Sequence, residues 1–364
     1  MVAITAAVLR GKDAPFTFEE LELAAPRPDE VLVKISSTGL CHTDLAVVHA
    51  DMPAPMPIVL GHEGAGTVVE VGSAVRDLKV GDRVAVSFAS CGRCANCRSG
   101  REAYCAIFEP LNFGGVREDG STTLTAADGS VVYGHFFGQS SFATHALVAA
   151  RNAVKVPDGI DLDLTGPLGC GIQTGAGAVI NSLKVAAGES VIVSGTGAVG
   201  LSAVMAAKAI GATTIIAVDV LEPRLKLARE LGATHTVNGR EDDVVARIRE
   251  IAGGGADYAL DTTGVPGVIV NDIRAVKWGG TIGLVGIGPD TATIPVPEIT
   301  GKTVRYLIEG DSVPQVFIPH LISLYQQGSF PFDRLISRYP FKDLERAIAD
   351  TRSGAAVKAV LVMD

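Results

Sequence analysis

Lysine and arginine never gather into a run in this 364-residue chain, and acidic residues outnumber them 40 to 31, for a formal net charge of -9. Nucleic-acid binding relies on clustered cations, so a nucleic-acid partner is not expected. Long apolar runs are missing too. The stretch 203–210 is cut by Lys208, far short of the ~18 residues that a membrane span needs, and no membrane partner is expected. The opening Met-Val-Ala-Ile has no basic start, apolar core or small-residue cleavage site. The expected setting is therefore cytoplasmic and reducing, which disfavours disulfides. Cysteine itself is scarce, with six residues in the chain, so where these six stand carries weight.

Four of them form Cys91-Gly92-Arg93-Cys94-Ala95-Asn96-Cys97 followed by Cys105, while Cys41 and Cys170 stand alone. A C-x2-C-x2-C-x7-C cluster lets four thiolates converge on one ion from a short loop, the closed tetrahedron of a structural zinc. An iron–sulfur cluster fits less well, because the ferredoxin-type run has a shorter last gap closed by Cys-Pro. Cys41 and Cys170 taken with His62 make a Cys/His/Cys set, the ligand type of a catalytic zinc with an open fourth position. Ligands so far apart leave no local signature, and taken singly such residues are more often core positions than ligands.

At this length two domains are the default. Up to about residue 170 the chain has short Val-rich runs such as 30–35, 66–71 and 83–86, bounded by Pro, Gly and Asp, which predicts short strands joined by turns. Beyond it, strand, glycine turn and helix alternate: strands over 190–194, 213–218, 234–237, 256–260 and 281–285, helices over 198–210 and 223–231, and a helix with Val244, Val245, Ile248 and Ile251 on one face. Alternation of this kind predicts a parallel sheet covered on both faces, in an α/β fold. The sheet is expected to end in the stretch 281–288, whose edge would pair across a two-fold axis. The composition becomes mixed again from about Gly310, so the expected domains are residues 1–170 with 310–364, and 171–309.

Within the alternating part, Gly195-Thr196-Gly197-Ala198-Val199-Gly200 follows a strand and opens a helix. In this context the glycines give a tight turn, close approach of backbone to a pyrophosphate, and close helix–strand packing. Asp219 closes the next strand 19 residues after Gly200, where a carboxylate accepts from both adenosine ribose hydroxyls. That favours NAD over NADP, whose 2′-phosphate would meet a like charge. Arg224 leaves two options open, steadying the ribose of NAD or meeting a phosphate.

These features add up to a resemblance. Gly39-Leu40-Cys41-His42-Thr43-Asp44, Gly61-His62-Glu63-Gly64-Ala65-Gly66, the four-cysteine lobe (about 91–112), Gly169-Cys170-Gly171, the glycine motif and Asp219 resemble the zinc-dependent alcohol dehydrogenases of the medium-chain dehydrogenase/reductase superfamily along essentially the whole chain. Phe137-Gly138-Gln139-Ser140-Ser141-Phe142, residues 166–175 and Glu309-Gly310-Asp311-Ser312-Val313-Pro314 are similar to the bacterial aryl-alcohol (benzyl alcohol) branch, with which geraniol dehydrogenases group.

The resemblance implies a mainly-β GroES-like catalytic domain plus a Rossmann-type doubly wound parallel-sheet coenzyme domain. It implies two zinc ions per chain, one catalytic on Cys41, His62 and Cys170 and one structural on Cys91, Cys94, Cys97 and Cys105. Asp44 would orient His62, and Glu63 would lie behind the metal. Thr43 would accept the alcohol proton. His42 and Lys358 would meet the cofactor pyrophosphate, Lys358 standing where many relatives use arginine. Thr174 and Val199 would pack on the nicotinamide. Met52, Phe136, Phe137 and Ile287 would line the substrate channel, although the phenylalanines read equally well as core.

The implied chemistry is oxidation of an aryl or allylic primary alcohol to its aldehyde with NAD, in a homodimer or homotetramer. A geraniol- or cinnamyl-type enzyme, a glutathione-dependent formaldehyde dehydrogenase and a zinc-free quinone reductase are the alternatives. One departure stands out: many relatives carry a relay histidine where this chain has Ala46, and His49 would substitute only if its loop turned differently.

Overall fold

The computed structural model describes residues 1–240, 243–288 and 291–363. They fall into two compact units, one comprising Met1–Cys170, Val313–Pro319 and Asp333–Asp364, the other Gly171–Ser312 and His320–Phe332. The first boundary lies where the composition changes. The second differs from the expected single return at residue 310: Gly310, Asp311, Ser312 and 320–332 belong to the second unit. The helix Pro314–Gln326 changes unit at Pro319, a residue with no N–H to continue the helical ladder.

The first unit is built from two mostly antiparallel sheets. In the larger, the order is Ala153–Lys155, Arg83–Val86, Gly64–Val71, Glu30–Gly39, Lys358–Val362 and Ile336–Pro340, with His145–Ala149 also paired to Glu30–Gly39. Val31, Val33 and Ile35 alternate along the central strand, so one face carries all three, and they pack with Val68, Val84, Val86, Ala146 and Val148. The smaller sheet orders Ile58–Val59, Val2–Leu9, Thr17–Leu23, Leu124–Ala126 and Val131–Val132.

In the second unit six parallel strands run in the order His235–Asn238, Thr214–Asp219, Ser190–Ser194, Ala256–Asp261, Val276–Leu284, Thr303–Tyr306. Counting from the first strand in sequence, this is the 3-2-1-4-5-6 order of the doubly wound dinucleotide fold, whose switch point lies between Ser190–Ser194 and Ala256–Asp261. Ile192, Ile216, Val237, Ala259 and Ile282 sit in one core with Val244, Ile248, Ile269 and Ile273 from the covering helices, as expected for strands buried on both faces. One expectation is corrected. The sheet does not end in 281–288; the strand Thr303–Tyr306 pairs beyond it and forms the edge. It is a four-residue strand of alternating polar character, which gives little periodic signal in the sequence. Among the described residues no helix is long and apolar enough to cross a membrane.

A buried fork in the first unit has a consequence for stability. Arg117 Nε and Nη2 donate to Glu30 Oε1 and Oε2 at 2.6 and 2.8 Å, and His135 lies buried nearby with no hydrogen-bond partner at Nδ1. Burial pushes the His135 imidazole down to about 4, the positive charge of Arg117 adding to the shift and Glu30 opposing it. The unfolded chain takes up this proton near pH 6.5 and the folded chain does not, so stability is intact above that pH and falls as pH drops toward 4. Between pH 7 and pH 5 the loss from this group is about 2 kcal/mol. Urea unfolding at the two pH values checks this: His135→Phe, which cannot protonate, should lose about 2 kcal/mol less than wild type over the interval.

Candidate metal centres and dinucleotide site

None of the six cysteines is in a disulfide. In the lobe, backbone N–H groups point at sulfur: Cys94 N–H donates to Cys91 Sγ (3.4 Å), Cys91 N–H to Cys105 Sγ (3.3 Å), and Cys97 and Ala106 N–H to Cys94 Sγ (3.5 Å each). The short helix Ala95–Arg98 begins at Cys94 as its cap, which aims the N–H of Cys97 back at that sulfur. Cys94 and Cys97 sulfurs stand 3.5 Å apart, Cys91 and Cys97 sulfurs 3.9 Å apart. A tetrahedral zinc with Zn–S bonds of about 2.3 Å requires sulfurs about 3.8 Å apart, so the donor set fits that ion. Amide hydrogen bonds from Ala106 and Cys97 bring the Cys94 thiol down to about 6, while burial and its neighbour Cys94 push Cys97 up to about 12. Four thiols this close do not all ionise unless a cation joins them.

The second cluster joins Cys41, His62, Glu63 and Cys170, whose ligand atoms lie within 4.8 Å of one another, in the first unit. Cys41 caps the helix His42–Val48, and Asp44 in its first turn reaches back to accept from the Cys41 N–H at 3.0 Å, a capping box. Through its other oxygen Asp44 accepts from the Gly61 N–H at 3.1 Å and meets His62 Nδ1 at 3.0 Å. A carboxylate at that nitrogen makes it the protonated one, leaving the lone pair on Nε2. Nε2 is buried, turned into the cluster, and has no hydrogen-bond partner. An orphaned imidazole nitrogen beside two thiols is costly unless it meets a cation, so these residues fit a zinc ion with three protein ligands. The Cys41 thiol is held well below its ordinary value, first by the hydrogen bond with Cys170 and then by His62.

Behind the cluster lies a pair that sequence reasoning missed. Lys358 Nζ donates to Glu63 Oε1 and Oε2 at 2.8 and 2.9 Å and to the Leu40 carbonyl at 3.1 Å. Burial opposes the charge on Lys358, and Glu63 outweighs it, holding the ammonium above its usual range. A side chain at Gly39 would collide with Glu63, since a Cβ there would stand 1.9 Å from Oε2. Lys358 is only 4 % exposed, so its head group is committed to Glu63, in contrast to the expected pyrophosphate contact.

The Thr43 hydroxyl lies 3.7 Å from Cys41 Sγ, and His42 is exposed in the same turn. His49 does not replace the missing relay: its Nδ1 is 2.6 Å from Asp13 and its Nε2 is 2.6 Å from Arg352. Phe137 stacks on the His62 ring at 4.5 Å and Phe136 meets it edge-on at 5.6 Å. Both are buried, and Phe113 closes edge-on against Phe137 at 5.2 Å. The two phenylalanines therefore wall the cluster. Met52 is half-buried in the loop after the helix, its N–H bonded to the Ala46 carbonyl at 3.2 Å. Ile287 belongs to the second unit and is 61 % exposed there.

In the second unit the glycine turn sits at the end of Ser190–Ser194. A Cβ on Gly200 would stand 1.8 Å from the Gly195 carbonyl oxygen, whereas one on Gly197 would meet nothing within 4 Å. Gly200 is thus required by packing, and Gly197 leaves open space at the start of the helix Ala198–Ala209, the cradle a pyrophosphate needs. Asp219 Oδ2 accepts from the Thr196 N–H and hydroxyl at 2.7 and 2.6 Å, and Oδ1 accepts from the Val220 and Leu221 N–H at 2.7 and 3.0 Å. Its carboxylate clamps the glycine turn to the loop after the next strand. Arg224 is half-buried beside it, its guanidinium lowered by burial against the pull of Asp219. The Val199 carbonyl packs against Gly175, where a Cβ would stand 1.9 Å away. Thr174, one residue earlier, is buried and donates to Glu309 Oε2 at 3.3 Å.

Residues 27–158 match the alcohol dehydrogenase GroES-like domain family and residues 198–322 the zinc-binding dehydrogenase family. A geraniol dehydrogenase from Castellaniella defragrans is 48 % identical, the match covering 99 % of this chain and 98 % of that one. The crystal structure of an alcohol dehydrogenase zinc-binding domain protein from Burkholderia ambifaria superposes with a TM-score of 0.98 at 53 % identity, over 100 % of this chain and 99 % of that one. Benzyl alcohol dehydrogenase from Acinetobacter calcoaceticus gives 0.97 at 46 % identity over 100 % of both. With two thiol-rich donor sets in one unit, a dinucleotide-type sheet in the other and relatives matched from end to end, the chain belongs to the zinc-binding alcohol dehydrogenase family.

Proposed function

We propose that this chain oxidises conjugated primary alcohols, aryl or allylic, to aldehydes, with NAD as hydride acceptor and two zinc ions per chain. The observation that carries this reading is the buried His62 Nε2 beside Cys41 and Cys170, walled by Phe136 and Phe137. The relatives named for geraniol and benzyl alcohol support a conjugated substrate. When bound, zinc supplies Lewis acidity toward an alcohol oxygen and the nicotinamide supplies the hydride acceptor.

The chain's own groups do the rest. Cys41, His62 and Cys170 hold the metal, Asp44 keeps His62 in the metal-binding tautomer, and Lys358 holds Glu63 behind it. The Thr43 hydroxyl takes the alcohol proton. With Ala46 in the usual relay position and both nitrogens of His49 engaged, the proton then leaves by a route other than a histidine. Phe136 and Phe137 exclude water and offer flat apolar surface. In the second unit Gly195, Gly197 and Gly200 admit the pyrophosphate, while Thr174 and Val199 meet the nicotinamide and Asp219 the adenosine ribose. The edge strand Thr303–Tyr306 suits two-fold pairing of subunits.

Three measurements test this reading. Cys105→Ser should cut zinc by metal analysis from two to one per chain and lower the melting temperature by several degrees, since metal binding contributes to folding. In a substrate panel, kcat/KM for benzyl, cinnamyl or geranyl alcohol should exceed that for ethanol by about 100- to 1,000-fold, because each buried CH2 contributes about 0.8 kcal/mol. Phe137→Ala should narrow that ratio, and equal turnover of ethanol would refute the conjugated-alcohol assignment. Asp219→Ala should raise KM for NAD roughly tenfold and improve the relative use of NADP, because a charged hydrogen-bond acceptor is lost; an unchanged NAD preference would remove Asp219 from the ribose.

A further inference from the structure

Glu309, Gly310 and Asp311 have φ of 51°, 62° and 51°, three consecutive residues in the left-handed region, two of them with a Cβ. Such residues persist only where the surroundings over-determine them, and they cluster at functional sites. Here the surroundings can be named. Asp311 accepts from Arg305 Nη2 at 2.7 Å, and the Asn181 amide donates to the Gly310 carbonyl at 3.2 Å. Gly310 lies so close to the helix Gly171–Gly177 that a Cβ on it would stand 2.7 Å from the Gln173 carbonyl oxygen and 2.8 Å from the Gly177 Cα. Next to this contact a π-helix, Ala178–Leu183, widens the ladder, and π-turns also mark functional positions.

The strained turn delivers one group. Glu309, 8 % exposed, presents Oε2 to the Gln173 amide at 3.2 Å and to the Thr174 hydroxyl at 3.3 Å. A glutamine would meet these two donors as well, so toward Gln173 and Thr174 the acid differs in its negative charge. Oxidised nicotinamide carries a positive charge on its ring; the reduced ring is neutral. A carboxylate one side chain from the ring therefore binds the oxidised form more strongly, in surroundings where charges are weakly screened.

We propose that Glu309 is a positioning residue for the nicotinamide: its carboxylate fixes Thr174 against the ring and tilts the site toward oxidised over reduced cofactor. This rests on the assignment of Thr174 to the nicotinamide. The tilt decides which form of the cofactor occupies the site; because the ring loses its charge as hydride arrives, the carboxylate stabilises the reactant rather than the transition state and does not itself speed the transfer.

The test is binding of NAD, NADH and ADP-ribose, which lacks the nicotinamide, to the zinc-loaded enzyme and to Glu309→Gln, Glu309→Asp and Thr174→Val. Glu309→Gln should weaken NAD roughly tenfold while leaving NADH and ADP-ribose within twofold of wild type, and Glu309→Asp should recover part of the loss. An equal loss for all three ligands, or none for NAD, would overturn the proposal, since a purely structural role does not separate them. Thr174→Val should weaken both NAD and NADH but not ADP-ribose. If it affects neither, the assignment of Thr174 fails, and a Glu309→Gln effect confined to NAD would still stand as the charge effect alone.

Discussion

The buried carboxylate of Asp44 takes up the Cys41 N–H, the Gly61 N–H and His62 Nδ1 at 3.0, 3.1 and 3.0 Å, and in doing so ties a helix start to a loop that is distant in sequence. A carboxylate removed from water is costly unless its lone pairs are met, and here three N–H groups meet them. Its position decides the rest of the centre. It sets the cap that presents the Cys41 sulfur and the tautomer that frees His62 Nε2, and it leaves Nε2 no partner but an ion. The stacked Phe137 and edge-on Phe136 then fix the plane of the imidazole, so the nitrogen is aimed by packing as well as by hydrogen bonding.

In the second unit the same economy appears in Asp219. Its two oxygens accept four hydrogen bonds from Thr196, Val220 and Leu221, so the residue expected at the ribose also locks the glycine turn to the neighbouring strand end. Removal of this side chain consequently affects the shape of the turn as well as any ligand contact. Asp44 and Asp219 thus share a design, a short acid at an element end that gathers backbone N–H groups and holds a site in shape before a ligand arrives.

What the sequence disclosed follows from how locally each feature is encoded. The four-cysteine lobe and the glycine turn were legible because their parts lie within a few residues of one another, and five strands of the parallel sheet because buried strands between helices alternate strongly. The edge strand Thr303–Tyr306 was missed because it is short and half-polar. Glu63 with Lys358 and Thr174 with Glu309 are pairs separated by 295 and 135 positions, and no local pattern records which acid meets which partner across such a distance. Lys358 was assigned by resemblance to the place of an arginine; its burial against Glu63 became visible only once Lys358–Val362 was seen beside the strand Glu30–Gly39. His49, three residues beyond Ala46, serves as a relay only if its loop turns differently, and Asp13 and Arg352, both remote in sequence, claim that ring.

The Lys358–Glu63 pair also explains how so many charges coexist in one buried place. Two thiolates from Cys41 and Cys170 together with the Glu63 and Asp44 carboxylates would carry four negative charges; a divalent ion held there and the Lys358 ammonium would carry three positive ones, His62 being neutral as a ligand. The balance would close to within one charge, and the remaining one rests on Asp44, whose oxygens are met by three N–H groups. The lobe would have a different balance, four thiolates against one divalent ion. Its excess negative charge is tolerable because Cys94 is only partly buried, amide N–H groups bond the sulfurs, and Arg93 stands close enough for the charges of Cys91 and Cys105 to act on it. An ion at the first centre would thus sit close to charge balance in an enclosed place, while the four thiols of the lobe would leave no ligand position open, as suits an ion that only holds the chain together.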